Sequence, residues 1–358
     1  DVLPLAGRLR VLLEPFARRR PDADESVFEF ARRRIGPRAA EILVDAMVTG
    51  VFAGDSRHLS LAATFPRMAA MEARHGSLTR ALFAARAEAR AAGRRSGGPA
   101  GPGGTLTTFD RGMSALPDRL TERLAGRLRL GTSVQSIAQK GDHYRLRGEE
   151  LDLECDALLL AVPAPAAARL LADVAPGAVA PLEAIPTVPI AVVMTSYRDP
   201  EAFGVPVKGF GFLVPRGENL GILGTLYCHA IFPGQAPDGH LFLRTMIGGA
   251  REPEAANLDD AALLLRVRGA HMAVLGHDPL PDDTWIVRHS EGISQYTIGH
   301  LERVRAAEEA ASSVGVVLVG SPFHGVSVND CIRQARDAAR RVAAKLQATR
   351  FQSPPMPK

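Results

Sequence analysis

Apolar residues recur at helical spacing in the first third of the chain and alternate with polar ones over much of the rest. In DESVFEFARRRIG, Val27, Phe28, Phe30, Ala31 and Ile35 lie near a 3.6-residue period behind an acidic start, which predicts a helix ending at Gly36-Pro37. PRAAEILVDAMVTG predicts a second helix ending at Gly50, and after a turn at Gly54-Asp55 the Ala- and Arg-rich run up to Gly93 predicts further helices. No sheet of their own accompanies these helices. The run GRRSGGPAGPGG, residues 93–104, carries Gly and Pro too densely for a helix or a strand ladder and reads as a linker. It follows an Arg-rich helix and leads into a strand-like TLTTF, the reverse of the strand-then-helix setting that a phosphate loop requires.

Beyond the linker, RLRLGTSVQSIAQK predicts a strand, followed by a turn at Lys140-Gly141, a second strand, and a buried strand over 157–162 broken by Pro163. PIAVVMTSY, GFGFLVP, LGILGTLY and HLFLRTMIGG predict a larger sheet, followed by a helix from Asp259 to about Leu275 and a strand near Trp285–His289. At the end, the apolar run VGVVLVG at 314–320 predicts a buried strand, and NDCIRQARDAARRVAAKL predicts an amphipathic helix with Asn329 or Asp330 as an N-cap. The resulting segmentation is 1–95 helical, 96–104 linker, 105–165 and 307–347 as two parts of one domain, 166–306 as a sheet-bearing domain, and 348–358 as a tail.

Composition narrows this picture to a folded protein of about two domains: 358 residues, 46% hydrophobic and 23% charged, fit neither a disordered chain nor a polytopic membrane protein. Cys155, Cys228 and Cys331 are scattered without metal-ligand or disulfide spacing, so no metal is expected and a reducing compartment is the default. The net charge of +4 is concentrated at the start, where residues 1–100 hold 17 Arg and no Lys against 11 acidic residues. Such a field suits an anionic surface or an acidic ligand, and equally a genomic bias toward Arg and Ala. The opening DVLPLAGRLR has no initiator Met and no signal pattern, which leads us to expect a piece of a longer chain.

The strand–loop–helix at 314–345 holds the most suggestive chemistry, because a helix N-terminus after a buried strand presents N–H groups to oxyanions or ring carbonyls. His75 and His300 read as hydrogen-bonded structural histidines, and no catalytic residue is assigned.

GSPFHGVSVNDCIRQARDAA resembles the flavin-contact segment of oxygen-dependent protoporphyrinogen oxidases, a family within the flavin amine oxidases whose pattern runs G-x-x-x-x-G-V-x-V-x-D-C-I. FARRRIGPRAAEILVDAMVTGVFAGDSRHLSLAATFP, EARHGSL, RGMSALPDRL, KGFGFLVP and ISQYTIGH agree with that family in order and spacing. The resemblance implies a mixed α/β flavoprotein fold of the two-dinucleotide-binding-domain type, with a sheet-bearing substrate domain and a helical, membrane-associated domain. No G-x-G-x-x-G follows a strand, so the family's first βαβ unit is expected to lie outside this sequence, along with the arginines the family sets against substrate propionates. The resemblance further implies FAD as cofactor, contacted by Val134, Ala161, Val162, Pro163, Gly320, Gly325, Val326, Val328 and Asp330. The implied substrate pocket comprises Gly50, Phe210, Gly211, Leu213, Leu226 and Met246. Departures from the pattern fall at Ala335, His289 and Ser294.

The implied reaction is the six-electron oxidation of protoporphyrinogen IX to protoporphyrin IX by three hydride transfers, with O2 as acceptor. Coproporphyrinogen III is the alternative substrate, and a non-catalytic porphyrin-binding relative is the alternative from another class. The resemblance also implies a cytoplasmic location, peripheral on the inner face of the cell membrane. It leaves a homodimer open, and no nucleic-acid partner is expected.

Overall fold

The computed structural model describes residues 2–20, 24–91, 93, 106–110, 112–141, 143–232 and 234–352, the last few of these in backbone only. Nearly all of the Gly/Pro run at 93–104 lies outside the described residues. The chain forms two compact units, one of residues 1–128 with 188–292, the other of residues 129–187 with 293–358. Each is therefore assembled from sequence-distant pieces.

In the first unit the early helices form as their spacing predicts. Val27–Ile35 buries Val27, Phe30 and Ala31, is capped by the Ser26 hydroxyl accepting from the Glu29 N–H, and stops at Gly36. The second helix begins at Pro37 as expected and differs from expectation at its end. It comprises Pro37–Ala39, a π-helical turn Ala40–Val44, and Asp45–Phe52, so it runs through Gly50 and ends at Ala53 in the left-handed region. A helical Gly costs only about 1 kcal/mol against Ala, and burying Phe52 edge-on against Phe65 outweighs it.

These helices are joined by buried charge. Glu14 accepts from the Ser77 hydroxyl at 2.6 Å and from the Leu78 and Thr79 N–H groups at 3.0 Å, satisfying the N-terminus of the helix Leu78–Ala91. Arg34, wholly buried, bonds Glu14 at 3.2 Å and also Glu72, which in turn bonds Arg33 at 2.7 Å. Burial alone would raise the Glu72 pKa, but Arg33 and Arg34 hold its carboxyl below the usual carboxylate value.

Ten strands are described. In the second unit β1 (Ser136–Lys140), β2 (His143–Arg147) and β3 (Asp152–Cys155) form an antiparallel meander, and β4 (Leu158–Leu160) pairs in parallel with β10 (Val316–Leu318). Here expectation needs three corrections. Arg127–Val134 is not strand, since pairing with β2 begins at the Gln135 N–H, which donates to the Arg147 carbonyl at 2.7 Å. The strand Asp152–Cys155 was hidden because its exposed positions are acidic. The helices Ala164–Leu171 and His300–Ser313 were not anticipated; each buries an alanine-rich stripe, Ala164, Ala167 and Ala168 in one, Ala307 and Ala311 in the other, and the second of them is only weakly patterned in hydrophobicity. Both stripes pack into the core of this unit with Leu171, Leu182, Val316 and Phe323.

The larger sheet runs β6 (Gly211–Leu213), β7 (Gly224–Tyr227), β8 (Leu241–Gly248), β5 (Thr187–Tyr197) and β9 (Asp283–Ser294) in spatial order, and its body lies in the first unit. The register pairs Leu226 with Arg244 and Arg244 with Met194, so one face carries Val192, Met194, Leu213, Leu226, Phe242 and Met246. The opposite face, with Val193, Leu243 and Ile247, is buried beneath the helix Asp260–Leu275. The 106–109 stretch expected as strand forms no strand and pairs with none among the described residues.

Candidate functional site

The second unit holds every residue assigned above to the cofactor. β4 and β10 end side by side, the Val319 N–H donating to the Leu160 carbonyl at 3.0 Å. Their parallel carboxyl ends therefore release Ala161–Pro163 and Gly320 together, with Ala161 and Pro163 exposed. Open α/β sheets bind ligands beyond such strand ends. Pro163 leads directly into the helix Ala164–Leu171. Val134 is half-buried against the core of this unit.

The loop after β10 is held from behind by two side chains that the sequence reading did not single out as a pair. Tyr296 donates its hydroxyl to the Ser321 carbonyl at 2.6 Å and accepts from the Gly325 N–H at 2.8 Å. Burial raises the Tyr296 pKa strongly, so the phenol keeps its proton. His300 is buried, stacks on the Tyr296 ring at 3.9 Å, and places Nε2 3.2 Å from the Phe323 carbonyl. The signal was present in the block ISQYTIGH, where Tyr296 and His300 are four residues apart.

Gly320 and Gly325 have φ of +122° and +124°, a region that L side chains rarely adopt. A Cβ at Gly325 would fall 2.6 Å from the Asp330 carboxyl, so this glycine is required by the first turn of the following helix. That helix, Val328–Gln352, is capped by Ser327 and not by Asn329 or Asp330. The Ser327 hydroxyl accepts from the Asp330 N–H at 3.1 Å and donates to the Asp330 carboxylate at 2.6 Å. Asp330 also pairs with Arg333. Val326 is half-buried and Val328 exposed.

The first unit holds every residue assigned to the substrate. Leu213, Leu226 and Met246 share the half-exposed sheet face, and Gly211 lies directly opposite Leu226. Gly211 has φ +127° and a Cβ there would sit 2.0 Å from the Thr225 carbonyl oxygen, so the strand pairing itself demands glycine. Phe210 beside it is 58% exposed. Gly50 packs against Leu213, whose Cδ2 would lie 2.5 Å from an added Cβ, so the room that Gly50 leaves is taken up by Leu213.

A buried ionic cluster in this unit escaped the sequence reading because its members are far apart in the chain. Asp45 bonds Arg216 at 3.3 Å, Arg251 at 3.2 Å and the Ser56 hydroxyl at 2.5 Å, while Arg216 also reaches Asp55 at 2.8 Å. Burial would lower the Arg216 pKa, but Asp55 and Asp45 raise it; for Arg251 burial prevails and lowers it. Arg216 and Arg251 line a cavity of about 260 Å³ with Val214, Gly217 and Gly248.

The family described as flavin containing amine oxidoreductase matches residues 1–343. Protoporphyrinogen oxidase of Bos taurus is 33% identical over 352 residues, covering 93% of this chain and 71% of its own length. Coproporphyrinogen III oxidase of Bacillus subtilis (strain 168) is 29% identical over 330 residues, covering 88% and 66%. A solved structure provisionally assigned as a protoporphyrinogen oxidase, from Exiguobacterium sp. 255-15, is 25% identical with a TM-score of 0.81, covering 96% of this chain and 73% of that one.

Proposed function

Because the chain belongs to the flavin containing amine oxidoreductase family, and within it to the protoporphyrinogen and coproporphyrinogen oxidases, we propose that it takes part in the FAD-dependent oxidation of protoporphyrinogen IX to protoporphyrin IX. The observation that carries this reading is the 33% identity to the bovine protoporphyrinogen oxidase across 93% of the chain. The mixed α/β fold is that of the same family.

The second unit suits a flavin. Two parallel strand ends lie side by side, the second followed by two positive-φ glycines and a helix N-terminus, and Ala161 and Pro163 beside them are exposed. Val134, Gly325, Val326, Val328 and Asp330 complete the proposed FAD contacts. When bound, FAD supplies the hydride acceptor and the route by which electrons reach O2. The chain's own work is positional: Tyr296 and His300 fix the loop at Ser321, Phe323 and Gly325, so that the backbone facing the cofactor does not move. In the first unit Phe210, Leu213, Leu226 and Met246 offer apolar area for a porphyrinogen ring, with Gly50 and Gly211 setting the level of the strand beneath it.

The Bacillus relative makes coproporphyrinogen III the second substrate to test. The helix Leu5–Leu12 supports a peripheral contact with an anionic membrane surface. Leu5, Leu9 and Leu12 are all more than half exposed along one stripe, with Arg8 and Arg10 beside them. No helix among the described residues is long and apolar enough to cross a membrane.

The test is titration of the purified chain with FAD, read by the visible absorption band, followed by turnover of both porphyrinogens under air. A stoichiometric, perturbed flavin band with protoporphyrin formation is expected. A folded chain that binds no FAD would overturn the enzymatic reading in favour of a porphyrin-binding relative.

A further inference from the structure

The half-exposed face of β5–β8 does not have the composition of a solvated sheet. An antiparallel sheet with one face in the core normally turns polar residues outward. Here the outward face carries Val192, Met194, Leu213, Leu226, Phe242 and Met246 with one small hydroxyl, Ser196, and the charged side chain among them is Arg244. Its direct cross-strand neighbours on this face are Leu226 on β7 and Met194 on β5, and along β8 it stands between Phe242 and Met246. Trp285 on β9 extends the apolar area, meeting the Phe242 ring edge-on at 6.1 Å.

The other arginines of this region are already committed. Between residues 188 and 292 there are seven, and six hold an acidic partner: Arg198, Arg216, Arg251, Arg266, Arg268 and Arg288. Arg244 is the exception. Its side chain makes no ion pair or hydrogen bond among the described residues, although it is exposed and set amid apolar neighbours. A planar guanidinium with all its N–H donors free, standing on an apolar platform, matches a ligand that is flat, apolar and carboxylated. Gly211 and Gly224 add to the fit, because both lie on this face and lower the platform beside Leu226 and Leu213.

We propose that Arg244 is the carboxylate-recognising residue of this face, pairing with an acid side chain of the tetrapyrrole while Leu226, Met194 and Met246 carry the ring. The assignment rests on the porphyrinogen reading above and goes beyond it by naming the specificity-determining residue. Arg244 fixes which edge of the macrocycle lies along β8, and it takes no part in the redox step.

The test uses the 358-residue chain and two fluorescent probes, protoporphyrin IX and its dimethyl ester, dispersed in the same detergent. Titration should show the diacid binding about tenfold more tightly than the diester, the scale of one charge-assisted hydrogen-bonded pair. Arg244→Gln should abolish that preference while leaving diester affinity and the circular dichroism spectrum unchanged, and Arg244→Lys should restore part of it. A purely structural Arg244 would shift both probes together. Equal binding of the two probes by the unmodified chain, or a preference that survives Arg244→Gln, would overturn the role of Arg244 and leave the porphyrinogen reading standing. Binding of neither probe would remove the porphyrinogen reading itself.

Discussion

The two units present their candidate surfaces in different materials. In the second unit the surface is largely backbone: strand ends at Leu160 and Leu318, glycines at φ +122° and +124°, and a loop pinned by Tyr296 and His300. In the first unit it is side chains: a row of methionine, leucine and phenylalanine with one arginine, standing on an ordinary antiparallel ladder. A backbone surface has few acceptable sequences, since changing one residue moves the peptide groups themselves. A side-chain surface can be altered piece by piece on an unchanged ladder.

The sharpest break of that contrast is Gly325→Val. The variant must leave φ +124° or displace Asp330, at a cost of roughly 1–3 kcal/mol in strain alone, and FAD affinity should fall about a hundredfold or more with the circular dichroism spectrum intact. Flavin absorbance per protein reads it directly, and normal flavin content would take Gly325 out of the site.

Next, adjacent residues on β8 should separate stability from binding. Ile247→Ala, in the wholly buried face, should cost about 3 kcal/mol in urea unfolding, whereas Met246→Ala should cost less than half of that and weaken porphyrin binding instead. Equal losses of stability would show that both faces are core.

The buried face also carries a pH dependence. Burial lowers the His271 pKa from 6.5 to about 4, beside the Thr225 and Thr245 hydroxyls at 3.3 and 3.4 Å. Between those values the unfolded chain binds a proton that the folded chain does not. Stability is therefore complete above pH 6.5 and falls as pH drops toward 4, by up to about 3 kcal/mol. His271→Phe should flatten that slope in unfolding measured at a series of pH values, and an unchanged slope would assign the dependence to other groups.

The smallest stability effect belongs to Phe210. Already 58% exposed, its replacement by Ala should change stability by no more than about 0.5 kcal/mol while weakening porphyrin binding severalfold. Unchanged porphyrin affinity would leave the ring as plain surface.

Much of this was legible from residue order alone. Local periodicity predicted the helix at Val27–Ile35, the strands β5, β7 and β8, and the helix after Asp259, whose side chain caps it through the Ala262 N–H at 2.8 Å. The block around Gly325 and Asp330 carries the family resemblance in its residues alone, and the family match bears that out.

Three-dimensional packing decided what periodicity could not. The alanine-faced helix His300–Ser313 carries little hydrophobic contrast, and its burial depends on neighbours from elsewhere in the chain. The ionic clusters at Asp45 and Arg34 join residues up to 206 positions apart, and no local pattern encodes a pairing over that distance. Arg244 shows the same limit from the other side. In sequence it is one arginine among many, and only the strand register, which sets Leu226 and Met194 beside it, distinguishes it as a cation without an acidic partner among the described residues on an apolar face. Sequence determines local conformation because short-range sterics and hydrophobic period act within a few residues; which side chains meet is set by the closing of the chain on itself.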